Sequence, residues 1–260
     1  MEITSLLAAL SGSLVGVVQG AIGGGGSVLG VPLLIYGVGV RSPHVAIGTS
    51  AAAMAIAAIV SLVGYMRAGH VKWRCGAAFT LAGLFGAIAG SSLGKAFPAE
   101  ELILLFGALM IVIAGSMLLG RPRAGDVNMR LTRATAPRLA PRLLAIGVAV
   151  GFLSGFFGIG GGFLVVPGLL MAADMPLVFA IGTSLMSVAA FGAATAINYA
   201  WSGLVDWRVA TYFLAGGIIG GLAGGRFARR LAARGPALSR LFAIIVALVG
   251  VFLIAESHRG

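Results

Sequence analysis

Residues 3–40 contain no charged side chain, and neither do 45–66, 75–94, 102–120, 175–205 or 209–225. A hydrocarbon core about 30 Å thick takes about 20 apolar residues as a helix. The recurrence of such runs therefore constrains the chain more than any motif: it must fold as helices in lipid. A barrel would need alternating apolar and polar residues, and the runs do not alternate. With 59% of the 260 residues hydrophobic and 10% charged, there is too little charge to cover a soluble domain.

The formal charge of +11 does not point to nucleic acid. Eleven of the eighteen basic residues fall in two segments bordering apolar runs, 121–142 and 226–240. That is how cytoplasmic loops are charged, and no basic face carries interleaved aromatics for base stacking. Cys75, the single cysteine, cannot form an internal disulfide, and His44, His70 and His258 lack metal-ligand spacing. No cofactor is predicted, and no nucleophile stands with a base in a pattern that suggests an enzyme. The opening "MEITSLLAALSGSLVG" has no basic region before its apolar run, so it reads as part of the mature protein.

A shift of about 135 residues lays the sequence on itself. "GVVQGAIGGGGSVLGVPLL" from Gly16 meets "GFLSGFFGIGGGFLVVPGLL" from Gly151, and "AIGTS" at 46–50 recurs at 180–184. Tyr65, Gly69 and Trp73 then meet Tyr199, Gly203 and Trp207. The chain divides into a first membrane repeat, 1–120, an Arg/Pro-rich cytoplasmic linker, 121–142, expected to be irregular, and a second membrane repeat, 143–260.

Orientation follows from counting passages. If each repeat opens with a glycine-broken helical hairpin followed by three spans, the segments 67–74, 121–142 and 226–240, all strongly basic, fall on one side. Reading 3–40 and 143–173 as one span each gives eight spans and parallel repeats, and puts the five arginines of 226–240 outside, against the charge rule. The expected fold is thus all-α and polytopic, with two inverted five-segment repeats and ten helical segments.

Glycine costs about 1 kcal/mol relative to alanine inside a helix, so Gly23, Gly24, Gly25 and Gly26, and their copies Gly158, Gly160, Gly161 and Gly162, should break the first segment of each repeat. Interrupted segments at corresponding places in inverted repeats point to a transporter's binding site, because unpaired backbone N–H groups and a helix dipole can receive an anion. The plainer alternative is that these glycines only let the hairpin turn and the helices pack. Packing is the better account of the four-residue glycine rows Gly12, Gly16, Gly20 and Gly86, Gly90, Gly94 with their copies. A phosphate-loop reading fails, since no Gly-Lys-Ser follows and no strand precedes.

Ser27 extends the first set of backbone donors, and Thr49, Ser50, Thr183 and Ser184 add hydroxyls that could donate to an anion without a buried charge, or could instead bond back to their own helices. Gln19 and Ser154 flank the two glycine tracts at nearly equivalent places and complete the predicted substrate-binding set. Asn198, His44 and Asp174 are the other polar residues near membrane depth; His44 and His70 read as solvated loop residues, and Trp73 and Trp207 as interfacial anchors. No span holds a buried Asp, Glu or Lys of the kind that relays protons, so a coupled proton would have to travel on the substrate.

The duplicated glycine-rich segments ending in "VPLL" and "VVPGLL", both "AIGTS" motifs, and "YMRAGHVKW" with "NYAWSGLVDW" together resemble the sulfite exporter TauE/SafE family of membrane transporters. The resemblance covers nearly the whole chain except the linker. It implies transport of a small sulfur-containing or organic anion, such as sulfite, a sulfonate or sulfoacetate, usually across the bacterial inner membrane. The expected partners are that anion and the lipid bilayer, with no nucleic acid; no oligomeric state is implied. A passive anion channel and a non-transporting assembly or sensor protein are the alternatives. The second copy has Ile159 where the first has Gly24, and Phe163 where it has Val28, so the two halves of the site need not be equivalent.

Overall fold

The computed structural model describes residues 2–119, 131–132, 134–158, 162–231 and 235–257. Among these every regular element is helical. In chain order they are α1 (Glu2–Ile22), a 3-10 helix (Gly23–Leu29), α2 (Gly30–Pro32), a π-helical turn (Leu33–Gly37), α3 (Pro43–Arg67), α4 (Trp73–Ala96), α5 (Ala99–Leu119), α6 (Ala136–Phe156), α7 (Gly162–Ala173), α8 (Leu177–Trp201), α9 (Trp207–Leu231) and α10 (Gly235–Ser257). Among the described residues five helices are long and apolar enough to cross a membrane: Ile3–Ile22, Pro43–Arg67, Trp73–Ala96, Ala136–Phe156 and Leu177–Trp201.

The glycine tract does turn the chain back. Gly26 lies so close to the backbone of Val15 and Gln19 that no Cβ would fit, and a Cβ on Gly37 would stand 3.5 Å from Ser11 Oγ. The 3-10 helix, α2 and the π-helical turn thus fold antiparallel onto α1. The four glycines do not form an open loop, however; they continue as tightly wound helix. In the second half, Gly168 of α7 packs against Val150 and Ile146 of α6 in the same manner.

Positive-φ positions repeat as the sequence does. Gly69 (φ 72°) and Gly203 (φ 70°) follow α3 and α8, where a left-handed residue lets the chain leave the helix. Two segments expected to be loops are partly helical. α6 begins at Ala136, inside the stretch expected to be irregular, because Thr132 and Thr135 bond each other's backbone amides and Pro137 suits a first helical turn. α9 runs on to Leu231 and α10 starts at Gly235; residues 120–130 of the linker lie outside the described residues.

The halves are interleaved rather than side by side. α1 packs along α9 in the same direction, Gly12 on Phe213, Gly16 on Gly217 and Gly20 on Gly221. α4 packs along α6 in the same way, with Gly151 on Gly83, Gly155 on Ala87 and Gly90 on Phe152. In each contact a carbonyl sits where a glycine Cβ would be, so only glycine permits the approach. Packing on these rows is therefore observed. α3 and α8 cross between the two pairs and run antiparallel: Gly48 faces Tyr199, Gly192 faces Ala51 and Ala55, and Gly182 faces Tyr65. α5 and α10 pair off at the edge.

Across α4 and α8, Thr80 and Ser187 share a buried hydroxyl bond of 2.7 Å. Interhelical hydrogen bonds in membranes average about 0.6 kcal/mol. A double-mutant cycle of Thr80→Val and Ser187→Ala, followed by thermal unfolding in detergent, should return a coupling near that value.

Candidate functional site

Each glycine tract, besides packing on its own half, meets the other. Gly158, at φ 65° just past α6, is pressed against Ile47 of the first "AIGTS". The 3-10 helix carrying Gly23, Gly24, Gly25 and Gly26 packs against α7 and α8. Gly162 opens α7, while Gly160 and Gly161 lie outside the described residues.

The two threonines have a shared structural task. Thr49 Oγ1 accepts the backbone N–H of Asp206 at 3.0 Å, and Thr183 Oγ1 accepts that of Lys72 at 2.9 Å. Lys72 and Asp206 immediately precede α4 and α9, where the first backbone N–H groups have no intrahelical acceptor. Each "AIGTS" thus supplies from one half the acceptor missing at a helix start in the other. Asp206 adds its own carboxylate, which accepts from the N–H groups of Arg208 and Val209, both at 3.0 Å.

These crosswise contacts put the predicted residues at two levels. Gly182, next to Thr183, faces Tyr65, and Tyr65 lies more than four turns along α3 from Thr49, about 24 Å at 1.5 Å per residue. The first "AIGTS", with Gly158 and Asp206, therefore forms one constellation, and the second, with Lys72 and Tyr65, another. The structure brings the first "AIGTS" to the second glycine tract through Ile47 and Gly158, but does not bring Thr49 and Thr183 together.

The remaining predicted residues are buried and mostly turned to their own surroundings. Ser184 Oγ donates to Ile181 O at 2.7 Å, the back-bonding alternative weighed from the sequence for the "AIGTS" hydroxyls, and Ser154 Oγ donates likewise to Val150 O at 2.5 Å. Ser50 Oγ fills the space beside Gly30, where no Cβ would fit. Ser27 is 1% exposed and Gln19 fully buried. Gln19 Nε2 reaches Met54 O at 3.4 Å, and its Oε1 has no hydrogen-bond partner among the described residues.

Around the second constellation, Lys72 Nζ stands 4.5 Å from the centroid of the Phe179 ring, and His70 packs edge-on to the same ring at 5.5 Å. Tyr65 donates its hydroxyl to Gly20 O at 2.9 Å, fixing α3 to the end of α1. The sequence reading missed Lys72 and Asp206 as partners. The duplication carried the signal, since Lys72 and Asp206 are related by the same shift of 134 that relates Thr49 to Thr183.

Comparison with known proteins decides the relationship. A family model described as "Sulfite exporter TauE/SafE" matches residues 8–253. The chain belongs to this family. A probable membrane transporter protein of Xylella fastidiosa (strain 9a5c) is 45% identical over 258 residues, covering 99% of this chain and 98% of the relative. The probable membrane transporter protein YunE of Bacillus subtilis (strain 168) is 29% identical over 262 residues, covering 94% and 95%. MJ0441 of Methanocaldococcus jannaschii, also named a probable membrane transporter protein, is 30% identical over 62% of this chain and 60% of its own. No solved structure matches. The TauE/SafE chain is thus a multi-pass membrane protein of a transporter family, not of an enzyme family.

Proposed function

We propose that this TauE/SafE member is a secondary transporter of a small sulfur-containing or organic anion, of the sulfite, sulfonate or sulfoacetate type, working by alternating access in the bacterial inner membrane. The observation that carries this reading is the crosswise latch: Thr49 to Asp206 near one end of the helix bundle and Thr183 to Lys72 near the other. Two closures of one design, each joining the halves and more than four turns apart, suit a molecule that opens one end at a time. A passive pore would need no such pair.

Residues 1–120 and 143–260 are proposed as inverted repeats joined by a cytoplasmic linker. The antiparallel packing of α3 on its copy α8 supports inversion, as does the folding back of each broken first segment. With the linker inside, Lys72 and Thr183 lie at the inner end, and Asp206 and Thr49 at the outer. The buried polar side chains among the described residues are hydroxyls and the Gln19 amide, with no carboxylate. That chemistry suits an oxyanion held by neutral donors and then released. Gly23, Gly24, Gly25, Gly26 and Ser27 would contribute at the inner level, and Gly158, Gly160, Gly161 and Gly162 at the outer. The hydroxyl hydrogens of Thr49, Ser50 and Thr183 and the Gln19 amide would complete the donor set, which Ser184 and Ser154 would join only on leaving their bonds to Ile181 O and Val150 O.

Purified protein in proteoliposomes should take up labelled sulfite or sulfoacetate saturably and show counterflow. Absence of uptake for every small anion by folded protein would remove the proposal, and uptake without counterflow would leave a channel. A pH gradient should drive a weakly acidic anion such as sulfite but not fully ionised sulfate, because the proton rides on the substrate. A separate proton measured with sulfate would refute that coupling.

A further inference from the structure

Asn198 and Tyr199 on the last turn of α8 and Ser202 just past its end stand beside Ser91, Ser92 and Lys95 of α4. Lys95 Nζ donates to Asn198 Oδ1 at 2.7 Å, to Ser202 Oγ at 2.9 Å and to Asn198 O at 3.1 Å. Asn198 Nδ2 donates to Ser91 Oγ at 2.6 Å and to Ser92 Oγ at 3.1 Å. These acceptors around the ammonium are all neutral, so among the described residues a whole positive charge stands half-buried at the mouth of the bundle without a counter-charge.

The aromatic ring beside it and the imidazole beyond that ring are both incomplete. Tyr199 is fully buried, its ring centroid lies 5.9 Å from Lys95 Nζ, and its hydroxyl has no partner among the described residues. His44 stands 6.4 Å from the same ring, with Nδ1 also buried and unpartnered. Tyr65, the copy of Tyr199, has its hydroxyl satisfied by Gly20 O, so the vacancy at Tyr199 is not a property of the position. A buried donor without a partner has given up its water for nothing, and an arriving acceptor would remove that cost. The duplication is also broken here: Asn198, Ser202 and Ser91 correspond to Gly64, Ala68 and Gly225, although Lys95 corresponds to Arg229.

We propose that Lys95, Asn198, Ser202, Ser92 and Tyr199 form an outer docking site for a free oxyanion, where the transported anion rests outside the Thr49 latch. This rests on the transport reading for its role, not for its existence. Lys95 supplies the charge. The anion's oxygens replace Asn198 Oδ1 and Ser202 Oγ as its acceptors, and the exposed Ser92 and Ser202 hydroxyls turn to donate. Because the site lies on one end only, loss of it should change affinity from that side and not turnover.

The test uses the full chain in maltoside detergent, with sodium sulfite and sodium sulfoacetate as probes at constant ionic strength. The melting temperature of the unaltered protein should rise saturably with the probe. In Lys95→Gln the midpoint should move at least tenfold higher, with Lys95→Arg within about threefold of the original. In proteoliposomes, Lys95→Gln should raise KM for outside anion about tenfold with Vmax largely kept. A folded Lys95→Gln with unchanged midpoint and KM would overturn the site and leave Lys95 as a cap on the end of α8. Should that variant fail to fold, the paired change Ser92→Ala with Ser202→Ala, both at exposed positions, must shift the midpoint or the site is refuted. A Lys95-dependent rise produced by phosphatidylglycerol micelles but not by sulfite would also overturn it, in favour of a lipid headgroup. If the unaltered protein binds but moves no anion, the docking site stands and the transport reading falls.

Discussion

Leucine at Gly151 will leave little folded protein, while leucine at Gly115 will be tolerated. A Cβ on Gly151 would meet the backbone of Gly83, which cannot step aside without parting α4 from α6, whereas a Cβ on Gly115 has no atom within 4 Å. Overpacking by single methyls costs about 1–3 kcal/mol, so Gly151→Ala should already destabilise by about 2 kcal/mol. Gly115→Ala should instead gain up to about 1 kcal/mol from helix propensity. Size-exclusion profiles and melting temperatures in detergent would measure both. Equal behaviour of the two alanine variants would mean that the α4 and α6 glycine rows do not set the closeness of the helices.

The second large effect concerns the latch. Thr183→Val removes the acceptor for the Lys72 amide and keeps the shape, at a cost of about 0.6–1.4 kcal/mol, which is roughly a three- to tenfold shift toward an open end. Cys75 reports it. The thiol is buried, and its neighbour Gly76 packs on the Thr183 methyl. Maleimide labelling of Cys75 should therefore quicken about three- to tenfold in Thr183→Val. It should stay near the original rate in Thr183→Ser, which keeps the hydroxyl, and in Thr49→Val, which loosens the other end. Acceleration by Thr49→Val equal to that by Thr183→Val would show a general loosening and defeat the paired-latch reading.

Much of this arrangement was legible in the sequence because it is written twice. Uncharged runs gave the helices, and the repeated glycine rows gave faces for close packing. Which face met which did not follow. Gly16 and Gly217 each read as packing residues, yet nothing local says that α1 lies along α9 rather than along its neighbours in sequence. The threonines show the same gap. Their side-chain chemistry invites a ligand, but a backbone amide at the start of a helix in the other half competes for the same oxygen, and only the tertiary structure supplies that competitor. Lys95 escaped notice because a lone lysine at a helix end usually satisfies the dipole; its neighbours on α8 lie about a hundred residues away.

Pairing α1 with α9 also has a consequence in time. The groove formed by Gly12, Gly16 and Gly20 is made early, and the backbone that fills it, around Phe213, Gly217 and Gly221, is made last but one among the helices. At about 5–20 residues per second, the ribosome takes roughly 10–40 s to reach it. Throughout that interval the first helix must rest in the bilayer with lipid, or a passing helper, against its bare backbone face.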